Sequence, residues 1–124
     1  MRIGTAELYQ QIREIPEITE RVAVAQEWQR DTRIVLFVQL QSGVALDEAL
    51  AERIRTRIRT NLSPRHVPAR IVAVAEIPQT VTGKVSEAAV QAAIHGRPVR
   101  NRDALANPES LRYFAPERWL HLTF

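Results

Sequence analysis

The chain has 124 residues, 45% hydrophobic and 25% charged, with a net charge of +3, which fits one globular domain able to bury a core without staples. No cysteine is present, which excludes a disulfide framework and thiolate metal sites, and His66, His95 and His121 lack ligand spacing, so no bound metal is expected. No apolar run approaches the roughly 18 residues of a membrane span and the N-terminus lacks a signal-peptide core, so the expected location is cytoplasmic, with no membrane partner.

In chain order, Leu8, Ile12 and Ile15 stand at helical spacing, and Glu7 sits in the first turn, where the helix dipole favours an acid. They predict an amphipathic helix over 5–15, stopped by Pro16. Residues 22–27 and 32–40 read as β-rich runs separated by the polar Gln29-Arg30-Asp31, which predicts a hairpin or an adjacent antiparallel pair. Leu46, Leu50, Ile54, Ile58 and Leu62 recur every four residues and predict a long helix over 47–62. The Ser63-Pro64 step ends it. A third β run covers 70–75. Ser86 predicts an N-cap for a helix carrying Val90, Ala93 and Ile94, with Gly96 as its stop. Beyond it the chain turns loop-like, and Asn107 predicts the cap of a short helix with Pro108 at its first position. The final stretch, 119–124, alternates apolar and polar residues. The order α-β-β-α-β-α predicts an α+β fold, a small three-stranded sheet with packed helices.

The segment Ile77-Pro78-Gln79-Thr80-Val81-Thr82-Gly83-Lys84 is the most informative stretch, although a Gly-Lys pair in a turn is ordinarily a solvated surface feature. Proline removes a ladder donor and so ends the preceding strand, while glycine permits the positive φ or close backbone approach that swings the next side chain outward. An exposed lysine there offers a point charge to a phosphate or carboxylate. The pI of 10.2, set by arginine, permits a phosphate-bearing partner without demanding one.

The motif Pro78-Gln79-Thr80-Val81-Thr82-Gly83-Lys84 and the opening Arg2-Ile3-Gly4-Thr5-Ala6-Glu7-Leu8 together resemble the C-terminal domain of the AMP-forming acyl-CoA synthetases, the adenylate-forming superfamily. Within it, Pro64-Arg65-His66-Val67-Pro68 and the stretch from Asn101 to Leu111 resemble the acetoacetyl-CoA synthetase branch. That resemblance implies a lid domain over 1–96 and a C-terminal extension with one short helix over 97–124. It implies a two-step reaction. Acetoacetate and ATP give acyl-adenylate and pyrophosphate, then coenzyme A displaces AMP, the small domain rotating against a large N-terminal AMP-binding domain between the steps.

The family's catalytic lysine falls on Lys84, beside Gly83, and a positive charge fixed where negative charge develops lowers the barrier. Arg2 and Gly4 fall in the motif that lines the thiol's route. Arg59 stands 25 residues before Lys84, as does an arginine that acetyl-CoA synthetases place near the nucleotide phosphate of coenzyme A. A solvated helix arginine is the equal alternative at that position, because Arg53, Arg55, Arg57 and Arg59 flank the Ile54/Ile58 stripe. Magnesium is expected with ATP, held by the large domain. Val85 departs from the branch, whose members commonly carry a second basic residue after the lysine.

The chain opens at Met1 where the family continues upstream, so a half-enzyme, inactive alone, is expected. A polyanion-binding module using the arginine-rich helix, and an orphan interaction domain of the same fold, are the alternatives. Nucleic acid is not an expected partner, since no aromatic stacking residues accompany the arginines.

Overall fold

The computed structural model describes residues 5–115 and Arg118. Their order is helix α1 (Thr5–Arg13), strands β1 (Ile18–Trp28) and β2 (Asp31–Leu40), helix α2 (Glu48–Asn61), strand β3 (Arg70–Ala73) and helix α3 (Glu87–Ile94). Short 3-10 segments follow α2 at Pro64–His66 and lie at Arg102–Ala104 and Pro108–Phe114. The α-β-β-α-β-α order and the three-stranded α+β sheet are therefore as the periodicity predicts.

The sheet runs β1-β2-β3, antiparallel between β1 and β2 and parallel between β2 and β3. The hairpin turns on Gln29 and Arg30, both at positive φ (49° and 66°), the twist that two-residue hairpin loops need. β1 starts four residues earlier than its apolar pattern announces. Its polar start, including Glu20 and Arg21, is carried by pairing with Gln39 and Val38 across an irregularity at Ile18/Glu20. β3 stops at Ala73 rather than at residue 75: its last register pair is Val38↔Ala73, and Val74 N–H adds one further bond to Val38 O at 2.9 Å. The strand thus ends before Pro78 is reached, and proline is not what terminates it.

In α2 the Asp47 carboxylate accepts from Leu50 N–H at 2.8 Å, capping the helix as an extended N-cap residue does. Leu50, Ala51, Ile54 and Ile58 face inward. In α3 Ser86 caps through Ala89 N–H, and Gly96, at φ +68°, follows the helix end.

Two apolar layers sandwich the sheet. On one face Leu8, Ile12, Ile54 and Ile58 of α1 and α2 pack on Ala23, Leu36, Val38 and Ile71. On the other, Val90 and Ile94 of α3 pack with Ile77 and Phe114 on Val22, Val24, Val35, Phe37 and Val72. The layers are tied at Tyr9, whose hydroxyl accepts from Ala23 N–H at 2.9 Å and donates to Glu87 at 2.5 Å. Burial, with the Glu87 carboxylate beside it, pushes the Tyr9 phenol well above its ordinary value.

The stretch from residue 97 to residue 115 belongs to this core. Phe114 is fully buried and meets Phe37 edge to face, ring centroids 4.7 Å apart at 63°; Leu105 and Leu111 pack on Ala89. It holds two 3-10 segments where one short helix is expected, and Asn107 does not cap the second with its side chain. The alternating stretch 119–124 lies outside the described residues. Because Phe114 fills the second layer, Phe114→Ala should lower the free energy of unfolding by about 3–5 kcal/mol, the cost of emptying an aromatic core site. Urea denaturation measures this, and a loss below about 1 kcal/mol, the scale of an exposed-site change, would place Phe114 outside the core.

Candidate active site

Lys84 sits on a small hairpin rooted in the second layer. Gln79 pairs antiparallel with Val85. Thr80 N–H donates to Lys84 O at 2.7 Å, and Gly83 N–H returns to Thr80 O at 2.8 Å. The loop Val81-Thr82-Gly83 ends with glycine at φ +88°, the left-handed position that a three-residue hairpin loop assigns to its last residue. A Cβ on Gly83 would meet nothing within 4 Å. The glycine is thus required by its backbone conformation and not by close approach.

Side-chain bonds tighten the loop. The Thr80 hydroxyl accepts from Lys84 N–H at 3.2 Å and lies 2.9 Å from the Thr82 hydroxyl. Residues 81–84 are all exposed, and Val81, 73% exposed, is the large hydrophobic side chain most open to solvent among the described residues. Lys84 is also the only lysine in the chain, against 16 arginines. That count is a sequence signal for the site which the local pattern alone does not use. A chain that uses arginine at every other cationic position keeps at this one the compact, strongly hydrated ammonium.

The hairpin has a third member. Thr80 pairs antiparallel with Leu105, Val81 N–H donates to Ala104 O at 3.0 Å, and Ala106 N–H donates to Gln79 O at 2.8 Å. Asn107 completes it: its Oδ1 accepts from Gln79 N–H at 2.8 Å and its Nδ2 donates to Ile77 O at 3.0 Å. The Gln79 side chain donates to Glu20 at 3.0 Å, and Ile77 N–H donates to the Gln39 side chain at 3.2 Å, anchoring the base to the sheet.

Arg59 lies elsewhere. It occupies the last turn of α2, exposed, with its guanidinium 3.9 Å from Glu52 and 3.5 Å from the Thr56 hydroxyl. α2 packs on the first face of the sheet, whereas Ile77 and α3, which flank the hairpin, pack on the second. The structure does not bring Arg59 and Lys84 together.

The other helix arginines are engaged by acids. Arg53 forms a two-point pair with Glu17, which holds the Glu17 carboxyl below its ordinary value. Arg57 contacts Glu14 and donates to Gln11 O at 2.9 Å, and Arg55 meets Glu52 at 3.7 Å. The groove between α1 and α2 is lined by Glu14 and Glu52 as well as by Arg53 and Arg57, so it does not present the unopposed basic stripe that a polyanion-binding helix requires.

Glu7 stands in the first turn of α1, 3.2 Å from His66 Nε2. Arg2 and Gly4 lie outside the described residues. Among the described residues no three carboxylate or imidazole groups converge to hold a metal ion, and no helix is long and apolar enough to cross a membrane.

Comparison with known proteins agrees with this geometry. The profile of the AMP-binding enzyme C-terminal domain matches residues 7–84, the last of them the hairpin lysine. The acetoacetyl-coenzyme A synthetase of Rhizobium meliloti (strain 1021) is 55% identical over 115 residues, which are 93% of this chain and 18% of that protein. Among solved structures, the acetoacetyl-CoA synthetase of Streptomyces lividans superposes with a TM-score of 0.84 at 36% identity, over 95% of this chain and 18% of that one. The acyl-CoA synthetase of Brucella canis gives 0.62 at 30% identity, over 68% of this chain and 16% of that one. The chain thus spans under a fifth of the length of these relatives. With its three-stranded mixed sheet, its exposed hairpin lysine and a profile match over most of its length, the chain belongs to the AMP-binding enzyme C-terminal domain family.

Proposed function

We propose that this chain is the C-terminal catalytic lid of an acetoacetyl-CoA synthetase, an AMP-forming ligase that joins acetoacetate to coenzyme A. The observation that carries this is the lone lysine held on a braced, exposed hairpin in a chain 55% identical to such a synthetase. The greater coverage by the Streptomyces lividans acetoacetyl enzyme than by the Brucella canis acyl-CoA synthetase supports the acetoacetyl branch and residues 97–124 as its extension.

The partner is a large AMP-binding domain, in the same chain or a separate one, that holds adenine, ATP phosphates, magnesium and the acyl group. The carboxylate oxygen of acetoacetate attacks the α-phosphorus of ATP and pyrophosphate leaves. The thiol of coenzyme A then attacks the acyl carbonyl and AMP leaves. Lys84 places its ammonium at the carboxylate and α-phosphate during the first step, where charge is redistributed between attacking and leaving oxygens, and a cation already in position needs no reorganisation. Gly83 supplies the left-handed backbone that turns the lysine outward. Arg2, Gly4 and Arg59 serve the second step on the coenzyme A side. The separation of Arg59 and Lys84 between opposite faces of the sheet suits a domain that presents one end per step. Magnesium fits the AMP-binding domain better than this one, since no carboxylates converge here among the described residues. A cytoplasmic location accompanies this function.

By itself the 124-residue chain should show no ATP–pyrophosphate exchange with acetoacetate above a no-enzyme control; measurable exchange would place a nucleotide site within it. In the chain joined to its AMP-binding domain, Lys84→Ala should lower acetoacetyl-adenylate formation by at least about a hundredfold, the scale of one lost preorganised donor. Thioester formation from preformed adenylate should survive. Lys84→Arg should not rescue, because a planar fork does not replace a compact ammonium at a crowded phosphate. Equal loss in both half-reactions would indicate a misplaced domain, and no loss in either would make Lys84 an ordinary turn residue.

Arg59→Ala should raise the apparent KM for coenzyme A roughly tenfold to a hundredfold, as expected for one charged hydrogen bond, with adenylation spared. Steady-state titration of coenzyme A reads this directly, and an unchanged KM returns Arg59 to a solvated role beside Glu52.

A further inference from the structure

We infer that the segment 104–107, with Asn107 as its key side chain, is a positioning device for Lys84. It acts as the third strand of the lysine hairpin and sets where the ammonium is presented. This rests on Lys84 being the adenylation lysine.

The geometry is specific. Gln79 and Thr80 form the central strand of the hairpin, with Lys84 and Val85 on one side and Ala104 to Ala106 on the other. Without 104–107, the N–H groups of Gln79 and Val81 and the carbonyls of Ile77 and Gln79 would each lose the partner shown here. An isolated two-stranded hairpin is marginal in water, whereas a third strand gives it independent order.

Asn107 is suited to this work because one amide satisfies a donor and an acceptor two residues apart, Gln79 N–H and Ile77 O. Its own carbonyl is held by Ser110, whose N–H and hydroxyl both donate to it, at 3.0 and 2.7 Å. Ser110 is fully buried, and Phe114, four residues on, is locked against Phe37. A rigid path therefore leads from the core through Asn107 to the base of the hairpin. Asn101 extends it by donating to Ser86 Oγ at 3.0 Å, the cap of α3 two residues beyond Lys84.

Asn107→Asp tests the amide with little change of shape. It keeps an acceptor for Gln79 N–H but sets a carboxylate oxygen against Ile77 O. Ala106→Pro tests the backbone independently. It deletes the Ala106 N–H and leaves Asn107 intact, and Leu105, at φ −86° and ψ 136°, already has the extended conformation that a following proline requires.

In the chain joined to its AMP-binding domain, each substitution should lower adenylation about tenfold to a hundredfold, the consequence of a displaced catalytic group. Thioester formation from preformed adenylate should fall much less. In a Lys84→Ala background neither should lower adenylation further, because a residue that acts through Lys84 has nothing left to position. A further loss in that background, or an equal loss in both half-reactions, overturns the assignment in favour of a general structural role. If Lys84→Ala lowers adenylation but the two substitutions do not, the positioning role fails while the proposed function stands. If Lys84→Ala itself has no effect, both fail.

A second readout needs no catalysis. Since Lys84 is the only lysine of the 124 residues, selective lysine ¹⁵N labelling of this chain yields one backbone amide resonance. Asn107→Asp should accelerate the solvent exchange of that amide, and an unchanged rate overturns the bracing role.

Discussion

Burial of both faces of β2 is the constraint on which the rest of the structure depends. Val35, Leu36, Phe37 and Val38 point alternately to opposite sides, and all four are sealed from water, so the sheet needs apolar cover above and below. On one side α1 and α2 supply it through regular stripes. On the other α3 is only eight residues long, and Ile77 and Phe114 join it over Phe37 and Val72. Phe114 can reach that position only if the chain after α3 runs back across the sheet. The path that brings it there passes the lysine hairpin, and in this way a packing requirement in the core becomes an ordering influence on an exposed turn.

The hairpin joins a fixed backbone to a free side chain. Ordering the backbone costs about 1–2 kcal/mol per residue, and here that cost falls within folding, offset by ladder bonds and by burial of Ile77, Leu105 and Phe114. The lysine stem beyond the backbone stays exposed. Under the proposed function this division suits a group that must enter one reaction centre and leave it again: the backbone sets the direction of reach, and the long side chain makes the final approach.

The helices and the central strand were legible because their apolar residues recur at the helical or strand period, and α3 carries Ser86 and Gly96 in the capping positions those residues favour. The start of β1 was not, because Glu20 and Arg21 hide an edge strand whose identity comes from its partner. Pro78 misled in the opposite direction. It looks like the breaker of β3, but the strand has already ended at Ala73. The exposed turn that carries Gly83 and Lys84 could be read from its Pro and Gly residues. Arg2 and Gly4, chosen on the opening motif, fall outside the described residues.

Asn107 was the instructive misreading. An Asn before Pro at the start of an apolar-spaced segment has the local signature of a helix cap, and the 3-10 segment does begin there. Yet its amide bonds Gln79 and Ile77, about thirty residues away in sequence, a partnership that no periodicity can announce. Local propensity specifies that a polar side chain will find a backbone donor but not which one. The choice is made by tertiary packing: with Phe114 seated on Phe37 and the Asn107 carbonyl held by Ser110, the amide bonds the base of the hairpin and not the first turn of its own 3-10 segment. Residues whose role depends on a distant partner are thus the ones that sequence reasoning misassigns, and here the misassigned residue is also the one that links the core to the lysine.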